Sequence, residues 1–90
     1  MTPETQLKQS IKQYLTLKRI FWWYNLAGVG SYKGLPDLFA FHKNKLYAIE
    51  VKAPRGKLSK HQIDFLARIE EQGGIRVVAY KLEDVIELFP

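Results

Sequence analysis

Ninety residues, 47% apolar and 26% charged, suffice for one small domain with one core and leave no room for separate catalytic and recognition domains. The lack of cysteine excludes disulfide staples, thiol nucleophiles and zinc–thiolate centres, and no apolar run is long enough to span a bilayer. The net charge of +5 is uneven: residues 1–63 hold eleven bases against three acids and residues 64–90 three against six, so one part is dressed for a polyanion.

The amino terminus lacks a secretory signal, which reads as a cytoplasmic protein. Thr2 and Pro3 are cap and first-turn residues, and Leu7, Ile11 and Leu15 follow at helical spacing, which predicts a helix over Pro3 to Lys18. Ile20 to Tyr24 is short, aromatic and branched, and predicts a strand. Asn25 to Pro36, with Gly28, Gly30 and Gly34, is a loop that brings backbone close to a neighbour. Asp37 to Phe41 and Leu46 to Lys52 form a hairpin around Lys43-Asn44. Arg55-Gly56-Lys57 is a basic loop, and Ser59 with Gln62 is a capping box, with Leu58 and Ile63 as its staple, for a helix that Gly73-Gly74 ends. Ile75 to Tyr80 is a strand and Glu83 to Phe89 a short helix. The order αβββαβα, with a right-handed crossover placing the fourth strand parallel to the third, predicts an α/β fold with a mixed sheet flanked by helices.

Between Thr5 and Ile63 the only acids are Asp37 and Glu50, set among eleven bases. An acid retained on a surface that attracts phosphate repels the backbone it must approach, so it calls for a specific use such as holding a cation. With Lys43-Asn44 at the hairpin tip, His42 faces Lys45 and Asp37 faces Glu50. Opposed residues share a face with Cβ atoms about 5 Å apart, a gap that a magnesium ion with oxygen ligands would fill. Lys52, two residues after Glu50, falls on the same face, where its ammonium offsets charge developing on phosphorus; the Val51 carbonyl adds a possible ligand. Glu4 lies on the stripe of Leu7 and Ile11 and is a further candidate ligand, although an acid in a first turn is also favoured by the helix dipole alone.

Glu4 in the first helix, Asn25, Gly34-Leu35-Pro36-Asp37-Leu38, Ile49-Glu50-Val51-Lys52 and Gly56-Lys57-Leu58-Ser59 with Gln62 resemble the PD-(D/E)xK nuclease superfamily, and within it the VRR-NUC family, over nearly the whole chain. The resemblance implies a restriction-endonuclease-like αβββαβ core, magnesium or manganese dependence and cleavage of structured DNA in a bacterial or phage-infected cell. It carries metal binding to Glu4, Asp37 and Glu50, catalysis to Lys52 and an accessory site role to Gln62; with the Val51 carbonyl from the hairpin reading, the candidate metal set is Glu4, Asp37, Glu50 and Val51 and the candidate catalytic set Asp37, Glu50, Lys52 and Gln62. Small standalone members are similar to Holliday-junction resolvases acting as homodimers. Lys60-His61 departs from the Pro-Glu that is commoner before the Gln.

Charge and resemblance together assign DNA contact to Asn25, Lys33, Gly34, Arg55, Lys57, Ser59 and Lys60, with phosphates met by the cations and no residue announcing base-specific reading. Lys8 and Lys12 read as solubilising, and His42 and His61 as surface residues without metal-like spacing. The aromatics from Phe21 to Tyr24 read as core, with one strand face left over for a dimer contact. Two rivals share the residues: a monomer that nicks flaps or duplex ends, and a non-catalytic nucleic-acid-binding domain of the same fold.

Overall fold

The computed structural model describes residues 1–26 and 31–90. In chain order it contains α1 (Pro3–Leu17), β1 (Phe21–Tyr24), β2 (Leu38–His42), β3 (Lys45–Val51), α2 (Lys60–Glu71), β4 (Ile75–Ala79) and α3 (Glu83–Ile86). The elements are those expected, with ends displaced by one residue at most places. The final helix is the exception, stopping at Ile86 where a continuation to Phe89 is expected. Beyond Ile86 the backbone turns so that Phe89 enters the core and its carbonyl accepts the Tyr14 hydroxyl, tying the carboxyl-terminal segment to α1.

The sheet runs β1-β2-β3-β4, antiparallel except for the parallel β3–β4 pair, as the crossover requires. Lys43 and Asn44 both take positive φ, 48° and 68°, the two-residue turn whose twist matches that of the strands. His42 consequently opposes Lys45, and Leu38 opposes Ile49, which is the predicted register. Parity then sorts the strands. Leu38 and Ala40, Ile49 and Val51, and Val77 and Ala79 turn to one face and form the main core with Ile11 and Leu15 of α1 and Val85 and Phe89. Phe39, Ala48 and Glu50 turn to the other, where α2 lies with Leu66 buried.

The aromatic strand divides the same way, one face packed on the core and the other left over, as its alternation predicts. Trp22 packs against the main core and its indole N–H donates to Thr16 Oγ1 at 3.0 Å. Phe21 is 67% exposed and Trp23 38%, because β1 is an edge strand that α2 does not cover. Tyr24 is also partly exposed, with the Lys12 ammonium 3.9 Å from its ring centroid, so Lys12 serves more than solubility.

Candidate active site

Asp37 immediately precedes β2 and is fixed from both sides. Asn25 donates its backbone N–H to the Asp37 carbonyl at 2.9 Å and its side-chain amide to the Pro36 carbonyl at 3.0 Å. Asn25 therefore extends the β1–β2 ladder and clamps the Pro36-Asp37 corner. Across the hairpin, Val51 N–H donates to Asp37 Oδ2 at 2.7 Å, which places the carboxylate over the end of β3. The same register brings Glu50 beside it, 5% exposed. Burial, then the hydrogen bond and negative charge of Asp37, push the Glu50 carboxyl up to about 8 against the opposing charges of Lys52 and Lys8. Two facing carboxyls in so little water share a proton or a cation.

Gln62 completes the cap and also reaches the carboxylate of Glu50. Its backbone N–H donates to Ser59 Oγ at 3.2 Å and its side-chain oxygen accepts the Ser59 N–H at 2.8 Å, completing the capping box. Its side-chain N–H donates to Glu50 Oε1 at 3.2 Å. One residue thus locks the first turn of α2 to the carboxylate of β3. Gly34, at φ +80°, lies against that turn so closely that a Cβ would stand 2.1 Å from the His61 carbonyl oxygen. The close approach expected of this glycine is to α2 backbone. Gly28 and Gly30 lie outside the described residues.

Lys52 follows β3, its N–H donating to the Ala79 carbonyl at 3.0 Å, and the loop after it folds back until a Cβ on Gly56 would be 3.3 Å from Lys52 Cβ and Cδ. That loop confines the Lys52 stem, whose positive charge acts on Glu50 without an ion pair between them. The structure also adds a residue that sequence reasoning misses. Lys8 Nζ lies 3.0 Å from Asp37 Oδ1 and 3.7 Å from Glu4 Oε2, with only 19% of its side chain exposed. Burial opposes the Lys8 charge, but the hydrogen bond and charge of Asp37, helped by Tyr24 and Glu4, outweigh it and raise its pKa. A lysine one position past Leu7 in an amphipathic helix gives no local sign of a partner 29 residues away; only its place on the Glu4 stripe, one turn later, hints at it.

Glu4 does not join Asp37 and Glu50 as a third carboxylate: the Lys8 ammonium stands between, and among the described residues no three His, Cys, Asp or Glu side chains gather to hold a metal ion. Asp37 and Glu50 still offer hard oxygen donors at one point, which fits a magnesium-like ion, since such ions keep several waters and need only one or two carboxylates. The Val51 amide is engaged by Asp37. Around this centre Arg55 and Lys57 are exposed on the loop before α2, Ser59 at its cap and Lys60 at its first position, and Lys33 is exposed beside Gly34. Among the described residues none of these four cations is in an ion pair.

A protein-family model, the VRR-NUC domain, matches residues 3–81. No curated protein sequence matches the chain. A solved structure described as a VRR_NUC domain superposes with a TM-score of 0.81 at 22% identity, covering 98% of this chain and 95% of the other. A VRR_NUC domain protein gives 0.75 at 19% identity, over 97% of this chain and 84% of that one. Hjc, a Holliday junction resolvase of the archaeal hyperthermophile Archaeoglobus fulgidus, gives 0.65 at 22% identity, over 86% and 67%.

Proposed function

This chain belongs to the VRR-NUC domain family, and from that premise we propose that it is a divalent-metal-dependent, structure-selective DNA endonuclease, acting on four-way junctions as a homodimer. The observation that carries the reading is the convergence of Asp37 and Glu50 across the β2–β3 hairpin, with Gln62 on Glu50 and Lys52 alongside. Membership makes the chain a nuclease domain.

Asp37 and Glu50 would hold magnesium or manganese, with the Val51 carbonyl as a further ligand. When bound, such an ion supplies a Lewis acid for the scissile phosphate and lowers the pKa of water. The chain's own residues do the rest. Lys52 offers its ammonium to the oxygens that gain charge as phosphorus is attacked, and Gln62 holds Glu50 in one rotamer so that its oxygens stay aimed at the centre. Lys8 orients Asp37 from the other side. Glu4, at 3.7 Å from Lys8, joins the site only through that lysine or a water. Lys33, Arg55, Lys57 and Lys60 meet phosphates on either side of the cut, while Asn25, Gly34 and Ser59, engaged with the Pro36-Asp37 corner and the first turn of α2, shape that surface.

The dimer rests on the uncovered sheet face. Phe21 opposes Phe41, and Trp23 opposes Phe39, so four rings line one side of the β1–β2 ribbon, with Phe21 67% and Phe41 44% exposed. Such a contiguous ring surface on a small domain favours burial against a partner, and a two-fold copy gives the paired sites that symmetric incision needs. No helix of the described residues is long and apolar enough to cross a membrane.

The test is incision of four-way, flap, single-stranded and duplex DNA with magnesium, manganese or chelator, alongside Asp37→Asn and Lys52→Ala. The expected outcome is metal-dependent cutting of four-way DNA that both variants lose while still binding. Cutting that survives chelator, or survives Asp37→Asn, removes the metal mechanism. Preference for flaps with a monomeric solution mass would replace the resolvase reading with the monomeric one.

A further inference from the structure

A second concavity lies one residue around α2 from the candidate catalytic centre, and of its lining residues the mechanism above uses only Lys33. Its floor is a helical stripe, His61, Asp64, Phe65 and Arg68, and its wall is Tyr32-Lys33, in a cleft of about 380 Å³. The spacing i, i+3, i+4, i+7 puts those four residues on one side of the helix. His61 is the neighbour of Gln62, whose side chain reaches Glu50, and the Gly34 approach to the His61 carbonyl pins the wall to the same turn. The cleft and the carboxylates are therefore parts of one rigid assembly.

Its chemistry is unusual for a solvated surface. The Tyr32 ring meets Phe65 edge-on at 5.3 Å, and Phe65 in turn meets Phe39 of the sheet at 6.2 Å, so the tyrosine is propped from one side and still 58% exposed. Asp64 and Arg68 stand four apart on a helix, the spacing at which such residues pair, yet among the described residues neither is in an ion pair. Both are left for a ligand. An aromatic ring, two cations and one acid in a cleft sized for a small molecule match a nucleotide: a base to stack, a phosphate to neutralise and ring or amino N–H groups to bind a carboxylate.

We propose that this cleft holds one unstacked nucleotide of the DNA at the branch point, with its base against Tyr32, its phosphates on Lys33 and Arg68, and Asp64 accepting from an amino-bearing base edge. This rests on the nuclease reading and adds to it a base preference: cytosine, whose N4 amino group donates, over thymine, which presents a carbonyl there. An acid inside a phosphate-binding cleft weakens binding unless it meets such a donor, which is why the preference falls on Asp64.

The experiment measures equilibrium binding of branched DNAs that differ only in one unpaired nucleotide at the branch, cytosine, thymine or abasic, with calcium present. It uses the full chain in an incision-dead Glu50→Gln background, with and without Tyr32→Ala or Asp64→Asn, and incision by the otherwise unaltered protein is followed in parallel. The expected result is about tenfold weaker binding of the abasic DNA, a penalty that Tyr32→Ala abolishes, and a severalfold preference for cytosine that Asp64→Asn abolishes without loss of overall affinity. Equal binding of all three DNAs overturns the proposal, as does full discrimination by Tyr32→Ala. A change of solution mass in Tyr32→Ala also overturns it, by assigning the ring to the dimer contact. Normal metal-dependent incision alongside equal binding sinks this proposal alone, whereas failure to bind or cut any DNA sinks the nuclease reading and takes this one with it.

Discussion

On the face of the sheet covered by α1 and α3, β2, β3 and β4 each contribute two buried apolar side chains, and the core they form is closed. On the face beneath α2 the same strands contribute Ala48, a buried glutamate and rings that reach solvent. Neighbouring residues in one strand thus have opposite fates: Leu38 is fully buried beside Asp37, and Ile49 and Val51 flank Glu50. The lesson is mechanical. A 90-residue chain has little surplus surface for a dedicated pocket, so the parity that builds the core also supplies rigid mounts for the groups of the opposite parity.

The strongest way to break that comparison is to substitute one residue of each parity. Glu50→Gln keeps shape and the Gln62 contact, so it should fold at least as well as the parent at neutral pH while losing incision by on the order of 10³-fold. Leu38→Ala, its counterpart on the closed face, should cost about 2–5 kcal/mol of stability, enough to threaten folding of so small a domain. Urea unfolding and single-turnover incision of both proteins separate the two effects. Equal losses of stability in the two variants would erase the distinction between the faces.

A smaller effect follows from pH. The Glu50 carboxyl is pushed from its ordinary 4.5 up to about 8 in the folded protein, so the folded state holds a proton that the unfolded chain has released over that interval. Its contribution to stability is complete below about 4.5 and is lost as pH rises through about 8. Metal-free protein should therefore become easier to unfold between those values, and Glu50→Gln should flatten that slope. Magnesium, by taking the place of the proton, should flatten it too. Parallel slopes for parent and variant would mean that the two carboxyls are not in fact crowded.

Lys8 tests whether the open face borrows support from the closed one, because it reaches Asp37 from the helix that seals the core. Lys8→Met keeps the stem and removes the charge. It should cost about 1.5–3 kcal/mol, the usual worth of a hydrogen bond to a charged group. It should also move the pH profile of incision upward, since Lys8 is among the charges that hold the Glu50 pKa down. Lys8→Arg should restore both in part. A purely structural lysine would change stability and leave the pH profile where it was.

How far these features are legible in the sequence depends on whether their cause is local. The hairpin register follows from Lys43-Asn44, and the start of α2 from Ser59 and Gln62, because turn and cap are decided within four residues. Asp37 and Glu50 come together for that reason alone. Which parity of Phe21 to Tyr24 a helix will cover is not local: the sequence offers one open face without saying which, and only the packing shows that Trp22 meets the core while Phe21 and Trp23 stay open. The same holds for Lys8, paired with Asp37 through tertiary packing, and for Glu4, whose stripe points toward the site but whose carboxylate meets a lysine there. Asp64 and Tyr32 carry no motif at all and acquire meaning only from the cleft they share.

The ends of the two long helices supply the smallest prediction. Both close with the same pair of bonds: at α2, Gly73 N–H to the Glu70 carbonyl and Gly74 N–H to that of Ile69; at α1, Arg19 N–H to Thr16 and Ile20 N–H to Leu15. The residue at the turn must adopt positive φ in each case, and α2 uses Gly73 at 88°, whereas α1 uses Arg19 at 58°. A left-handed conformation costs a side-chain-bearing residue roughly 1–2 kcal/mol, partly offset by the greater freedom that glycine loses on folding. Arg19→Gly should thus stabilise the protein by roughly 0.5–1 kcal/mol, a rise of a few degrees in Tm for a domain of this size. Arg19→Asn, which tolerates the same conformation, should recover part of the gain and shows that the lost charge is not its source. The change lies on the helix that seals the closed face and touches neither carboxylate, so incision at saturating DNA should stay within about twofold while Tm rises. A stabilised α1 that slowed cutting would mean that the core face and the catalytic face are mechanically coupled through Lys8.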